Sequence, residues 1–164
     1  MSNDAGLVQP EGTLQDKVAI VGDGEMDFSA ADDVIENLAV DFVDRLPDEI
    51  ERIQLALTTL IGDPNGESHK TVLFRLVHDL KGQAGTFDYN LISVIGNDLC
   101  RFIERDIPMT PRRLKVAGYY VEAMKVVSEK KITGDGNEFG MRMVDTLHSM
   151  TQKVLNEDDG LLCK

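Results

Sequence analysis

Cysteine is scarce in this chain of 164 residues, and the two that occur, Cys100 and Cys163, are too far apart to resemble a metal-binding pair. A scaffold held together by disulfides is therefore not expected, and a reduced, cytoplasmic compartment is favoured. Long apolar runs are also missing, since none approaches the roughly 20 residues that a membrane span needs. Met1 is followed by Ser-Asn-Asp, without the basic start and apolar stretch of a signal peptide. We therefore expect a cytoplasmic protein.

Basic residues are outnumbered, because 17 lysines and arginines face 29 acidic residues and give a net charge of -12. A binder of duplex nucleic acid needs a basic face that neutralises phosphates, and an anionic membrane surface likewise attracts basic segments. Neither nucleic acid nor a membrane is expected as a partner. A hydrophobic content of 42% with 28% charged residues is typical of a globular chain, and this length corresponds to one domain.

The chain divides by composition into a leader and a helical region. Residues 1–28 form a polar leader, partly extended or flexible, with one apolar run at 18–21 that could form an edge strand. Gly22-Asp23-Gly24 lacks the third glycine and the following helix of a dinucleotide-binding fingerprint. From Ser29 onward, apolar residues recur at helical spacing.

Turn and cap residues divide this region into separate helices. Pro47 indicates either a kink or the start of a new helix, Ser68 is the expected N-cap of the next one, and Thr110 precedes a first-turn proline. The predicted helices cover residues 29–61, with a kink or a break at Pro47, and residues 68–88, 90–106, 111–131 and 137–157. Their apolar stripes place these residues, among others, in the core: Val34, Ile35, Leu38, Ile61 and Met141.

Helices of this length joined by short loops favour antiparallel neighbours. The predicted fold is all-α, an up-down antiparallel four-helix bundle with additional N-terminal and C-terminal helices. We assign the bundle to residues 29–132, an extra helix that packs on it to residues 133–157, and an acidic tail to residues 158–164.

The helix predicted at 68–88 carries an unusual polar face. On a helical wheel, its apolar residues fall within one arc, and these are Leu73, Leu76, Val77, Leu80, Ala84 and Phe87. His78 falls opposite the centre of that arc, so it is predicted to face solvent in mid-helix. Lys81, Gly82 and Gly85 follow it on the same side.

These residue types together indicate a particular chemistry. Glycine in a helix interior costs roughly 1 kcal/mol relative to alanine, but it lets another molecule approach the backbone closely. Lysine supplies a compact positive charge with three donors, which suits a phosphate. The free nitrogen of a neutral imidazole is a nucleophile. Two interpretations remain open: His78 carries a phosphoryl group, or His78 and Lys81 are ordinary surface residues.

The segment from His78 to Gly85, His-Asp-Leu-Lys-Gly-Gln-Ala-Gly, resembles the signature of histidine-containing phosphotransfer (HPt) domains. The resemblance implies a four-helix bundle in which His78 is phosphorylated on its outer ring nitrogen and Lys81 screens the phosphoryl charge. It implies that Gly82 and Gly85 clear the approach of the partner. Phe74, one turn before His78, is a candidate docking residue for that partner, or else an aromatic residue at the edge of the bundle.

The resemblance implies a phosphotransfer intermediate without kinase activity of its own, acting in a multistep phosphorelay. The implied partners are response-regulator receiver domains and a hybrid histidine kinase. No cofactor is expected on this chain, since the magnesium ion would belong to the receiver domain. We expect a monomer, although a groove between helices could pair two copies. The alternatives are a bundle that binds a receiver or kinase domain without chemistry, and a module cut from a chemotaxis-type kinase.

Some members of that family support the histidine with a residue of the following helix. Cys100, Arg101 and Arg105 are the candidates here, and the role is left unassigned. His69 and His148 have no neighbouring ligand set in the sequence, so both are interpreted as surface residues and no metal site is predicted.

Overall fold

The computed structural model describes residues 29–105 and 107–162, with side chains from 33 to 105 and from 107 to 157. The predicted leader and its apolar run lie outside the described residues. The described part contains five α-helices and no strand: α1 Ser29–Gly62, α2 Glu67–Thr86, α3 Asn90–Ile103, α4 Pro111–Glu129 and α5 Asn137–Leu162. The prediction of an all-α fold is confirmed. None of these described helices is long and apolar enough to cross a membrane.

The chain forms two compact units, Met1–Asn37 and Leu38–Lys164. In the first unit, the described residues are the initial turns of α1, where Val34 and Ile35 are exposed. The prediction of a core position is wrong for both residues. The second unit contains the helical bundle.

Helix α1 does not end at its proline. Although the sequence allowed a new helix to begin at Pro47, α1 continues through that residue to Gly62. Pro47 is exposed, while Leu46 and Ile50 beside it are buried. Burial of large apolar side chains, at about 1.5 to 3 kcal/mol each, offsets the roughly 3 kcal/mol that a proline costs inside a helix.

One face of α1 enters the core of the second unit. Its large buried residues are Phe42, Leu46, Ile50, Ile53, Leu57 and Leu60. Leu38 and Ile61 are exposed, so their predicted core positions are wrong. Phe42 already packs on Phe87 and Tyr89 beyond the end of α2, and Leu38 lies one further turn away. Ile61 lies at the edge of the buried face, in the last turn of α1 before the helix ends at Gly62.

Helices α2 and α3 form a close antiparallel pair. Their connection is only three residues long, and Asp88 in it adopts a φ of 61°, a conformation that aspartate tolerates better than most residues. Gly85 faces Ser93, and Lys81 faces both Gly96 and Asn97. Residues at equal distances from the connection therefore meet across the pair.

The start of α2 differs from the prediction at Ser68. The N-cap is Gly66, and its carbonyl oxygen accepts hydrogen bonds from the backbone N–H groups of His69 and Lys70. Ser68 therefore lies inside the first turn rather than before it. Glu67 in that turn is favourable for the helix dipole.

The core contains the predicted apolar face of α2 and extends through the helices that follow. Leu73, Val77, Leu80 and Ala84 are buried in α2, whereas Leu76 and Phe87 are only half-buried. In α3 and α4, the apolar residues that recur at helical spacing are buried, and these are Leu91, Ile92, Ile95, Leu99, Phe102, Leu114, Ala117, Val121 and Met124. Helix α4 begins at the predicted cap, where the Thr110 side chain accepts a hydrogen bond from the backbone N–H of Arg113.

Helix α5 packs on α3 and α4. The hydroxyls of Tyr120 and Thr151 are hydrogen-bonded at 2.9 Å, and burial raises the pKa of Tyr120. Helix α5 reaches Leu162, beyond the predicted end at residue 157. Met141 is exposed, which contradicts its predicted core position, because Gly140 rather than Met141 makes the close approach to α3.

Candidate functional site

His78 lies in the middle of α2 on the side away from the core. Its side chain is 56% exposed, which agrees with the position expected from the helical wheel. Nδ1 of His78 lies 3.8 Å from Oδ1 of Asp79, too far for a hydrogen bond. Nδ1 is therefore the ring nitrogen on the Asp79 side, and Nε2 is at the outer end of the ring.

Phe74 forms one wall beside this histidine. The two ring centroids are 5.8 Å apart, with their planes tilted by 31°. Phe74 is half-buried and packs against the hydrophobic core, so only part of its ring is available to a partner. Phe74 is therefore both an aromatic residue at the edge of the bundle and a neighbour of His78.

Lys81 leans across the helix pair instead of extending into solvent. Its side chain is half-buried, and Nζ donates a hydrogen bond to Oδ1 of Asn97 at 3.3 Å. The ammonium also affects the pKa of the Cys100 thiol. Burial raises that pKa to about 11, the positive charge of Lys81 lowers it, and the negative charge of Glu104 raises it. The Lys81 charge is therefore held on the α3 side of the site.

The glycines in and near the site differ in whether the fold requires the absence of a side chain. A Cβ at Gly82 would meet no atom within 4 Å, so nothing in the fold requires glycine there. A Cβ at Gly85 would lie 3.3 Å from Oγ of Ser93, and one at Gly96 would lie 2.9 Å from Cβ of Lys81. Gly96 is thus required for the close approach of α2 and α3, whereas Gly82 leaves an uncovered stretch of backbone.

An open hollow of about 390 Å³ lies between α2 and α3. Its lining residues are Lys81, Gly82, Gly85, Ser93, Val94 and Asn97. A larger groove of about 600 Å³ lies between α1 and α4 and contains none of the predicted site residues. The small hollow therefore contains three of the predicted site residues, Lys81, Gly82 and Gly85, but His78 does not line it.

The sequence interpretation missed the residues of α3 that complete the site. It considered Cys100, Arg101 and Arg105, but Cys100 is buried and both arginines are exposed. Asn97 makes the contact with Lys81 instead. The short connection between α2 and α3 was a usable signal, because it places residues equally distant from it opposite each other.

The other two histidines are held by carboxylates away from this hollow. Nε2 of His69 lies 3.6 Å from the Asp63 carboxylate at the start of α2, and Nε2 of His148 lies 2.6 Å from Oδ2 of Asp98. Within the described ranges, no group of three or more His, Cys, Asp and Glu side chains is arranged to hold a metal ion.

Comparison with protein families matches the chain to the model described as Hpt domain, over residues 37–126. The matched stretch covers more than half of the chain and includes all of α2 and α3. It begins inside α1 and ends before α5. Comparison with curated proteins and with solved structures gives no match.

Proposed function

Because the chain belongs to the Hpt domain family, we propose that it is a histidine phosphotransfer protein in which His78 carries the phosphoryl group. Family membership implies histidine phosphotransfer in phosphorelay signalling. The observation that carries the residue assignment is the exposed His78 ring in mid-helix, one turn from the uncovered backbone at Gly82. His69 also lies in the matched stretch, but it is at the start of α2 and is less exposed than His78.

In the proposed reaction, the lone pair on Nε2 of His78 attacks the phosphorus of an acyl phosphate on a receiver-domain aspartate. The P–N bond forms as the P–O bond to that aspartate breaks, and the aspartate leaves as a carboxylate. Nδ1 keeps its proton, on the side of the ring that faces the Asp79 carboxylate. The reverse steps, onto the aspartate of a second receiver, return a neutral imidazole.

The neighbouring residues support this transfer in separate ways. The Lys81 ammonium screens the charge of the phosphoryl oxygens, because a preorganised cation stabilises charge that develops in the transition state. The absent side chains at Gly82 and Gly85 let the partner approach the α2 backbone. The exposed part of the Phe74 ring offers an apolar contact beside the reacting nitrogen.

The proposed partners are the receiver domain of a hybrid histidine kinase and the receiver domain of a response regulator. The chain has no kinase activity of its own in this proposal, and the magnesium ion and catalytic carboxylates belong to the receiver. We place the reaction in the cytoplasm and the protein as a monomer. Helices α1 to α4 form the up-down four-helix bundle of the family, and α5 is an addition to it.

The test is transfer from a phosphorylated receiver domain to the purified chain, followed by intact mass. Wild type should gain one phosphoryl group that is labile in acid and stable in alkali, whereas His78→Gln should gain none. His148→Gln is the matched control, since His148 has a similarly exposed side chain outside the matched stretch. It should be labelled like the wild type.

Two results would overturn the proposal. Label that persists in His78→Gln would move the site to another histidine. A wild type that binds receivers but is never labelled would instead indicate an adaptor without chemistry.

A further inference from the structure

The charge of Lys81 is held in place by the neighbouring helix. Nζ of Lys81 donates a hydrogen bond to Oδ1 of Asn97 at 3.3 Å, and both side chains are half-buried. Lys81 follows His78 by three residues, so the two side chains leave α2 at adjacent positions on one face. The contact with Asn97 therefore determines where the ammonium stands relative to the histidine.

The acceptor at Asn97 is neutral, and this matters for the chemistry. An ammonium has three N–H donors, and the amide oxygen takes one without removing any charge. Within the described ranges, no carboxylate forms an ion pair with Lys81. A carboxylate at position 97 would have nearly the same shape but would neutralise the cation.

Gly96 makes this contact possible. A Cβ at this position would lie 2.9 Å from Cβ of Lys81 and 3.7 Å from its Cα, so only glycine lets the two helices meet so closely here. The close approach brings the Asn97 amide to the lysine head group. It also forms the hollow that Gly82 and Gly85 leave open.

We infer that Asn97 is a positioning residue, which holds the Lys81 ammonium beside His78 without neutralising its charge. The inference rests on the proposed function of His78. Asn97 acts through Lys81 and touches no reacting atom, so its effect should disappear when the lysine is absent. That dependence separates a positioning role from a general role in packing α2 against α3.

The test measures the rate of phosphoryl transfer from a phosphorylated receiver to variants at position 97. Asn97→Asp should slow transfer at saturating protein about tenfold, the scale of one interaction with a charged group, and leave the half-saturating concentration unchanged. Asn97→Gln keeps a neutral acceptor and should retain most of the rate. Asn156→Asp adds the same charge at an exposed position on α5 and should transfer at the wild-type rate.

A double-mutant cycle with Lys81→Gln supplies the decisive comparison. In that background, Asn97→Asp should cause no further slowing. Asn97→Ala, which removes the acceptor without adding charge, provides a second cycle if the aspartate variant fails to fold. Equal slowing by either change with and without the lysine would overturn the inference.

Direct phosphorylation with phosphoramidate separates this inference from the proposed function. If His78 takes a phosphoryl group and Asn97→Asp transfers it as fast as the wild type, the positioning role is wrong and the proposed function stands. If His78 is labelled neither by receivers nor by phosphoramidate, both are wrong.

Discussion

Replacing Gly82 with alanine should make the protein more stable and its phosphoryl transfer slower. A Cβ at this position meets no atom within 4 Å, and among the described glycines only Gly134 and Gly136 have a positive φ. Alanine is therefore unstrained here, and it should stabilise the helix by about 0.5 to 1 kcal/mol. For a chain of this size, that gain corresponds to a rise in Tm of about 1 to 4 °C.

The same methyl group would stand in the hollow between α2 and α3, where the partner is proposed to approach. Overlap of a methyl group in a packed interface typically costs about 1 to 3 kcal/mol, so transfer should slow by roughly fivefold or more. The two assays are thermal unfolding followed by far-UV circular dichroism and transfer from a phosphorylated receiver domain.

Gly118→Ala is the matched control for this experiment. Gly118 is also inside a helix, and a Cβ there would lie 3.9 Å from Cδ2 of Leu57 in α1, an ordinary contact away from His78. This variant should gain similar stability and transfer at the wild-type rate. A Gly82→Ala protein that is less stable, or that is more stable and transfers normally, would refute the reasoning.

Three further changes probe other contacts. Gly96→Ala should lower the free energy of unfolding by about 1 to 3 kcal/mol in urea titrations, because its Cβ would lie 2.9 Å from Cβ of Lys81; an unchanged midpoint would contradict this. Stability should fall as the pH rises from about 9 to about 11. Burial raises the pKa of the Cys100 thiol from its ordinary 9.0 to about 11, so the folded state binds the thiol proton more tightly than the unfolded state does. The Cys100→Ala variant should lose less stability over this pH range than the wild type. An equal loss in both proteins would show that the Cys100 thiol is not the cause. Tyr120→Phe removes the hydrogen bond to Thr151 and should lower Tm by an amount equivalent to about 1 kcal/mol. A higher Tm would show that this hydrogen bond does not stabilise the packing of α5 on α4.

The sequence alone was sufficient to predict most of the helical pattern. The spacing of Leu73, Val77, Leu80 and Ala84 defined the buried face of α2, and the same periodicity placed His78 on the opposite side. These predictions depend on the helix itself, since 3.6 residues per turn fixes which side chains share a face. The signature from His78 to Gly85 likewise lies within one helix.

Properties that depend on a second element were predicted less well. Periodicity alone placed Leu38 and Met141 in the core, but a residue is buried only where another helix covers it, and both are exposed. Pro47 remains inside α1 because tertiary burial outweighs its local cost.

The difference between the site glycines also required the tertiary structure. Gly82 and Gly96 are both glycines in helix interiors, yet only Gly96 faces another helix closely. The sequence by itself determined that a histidine, a lysine and two glycines share one helical face. The tertiary structure decided that Asn97 holds that lysine, because the contact depends on the register of α2 against α3.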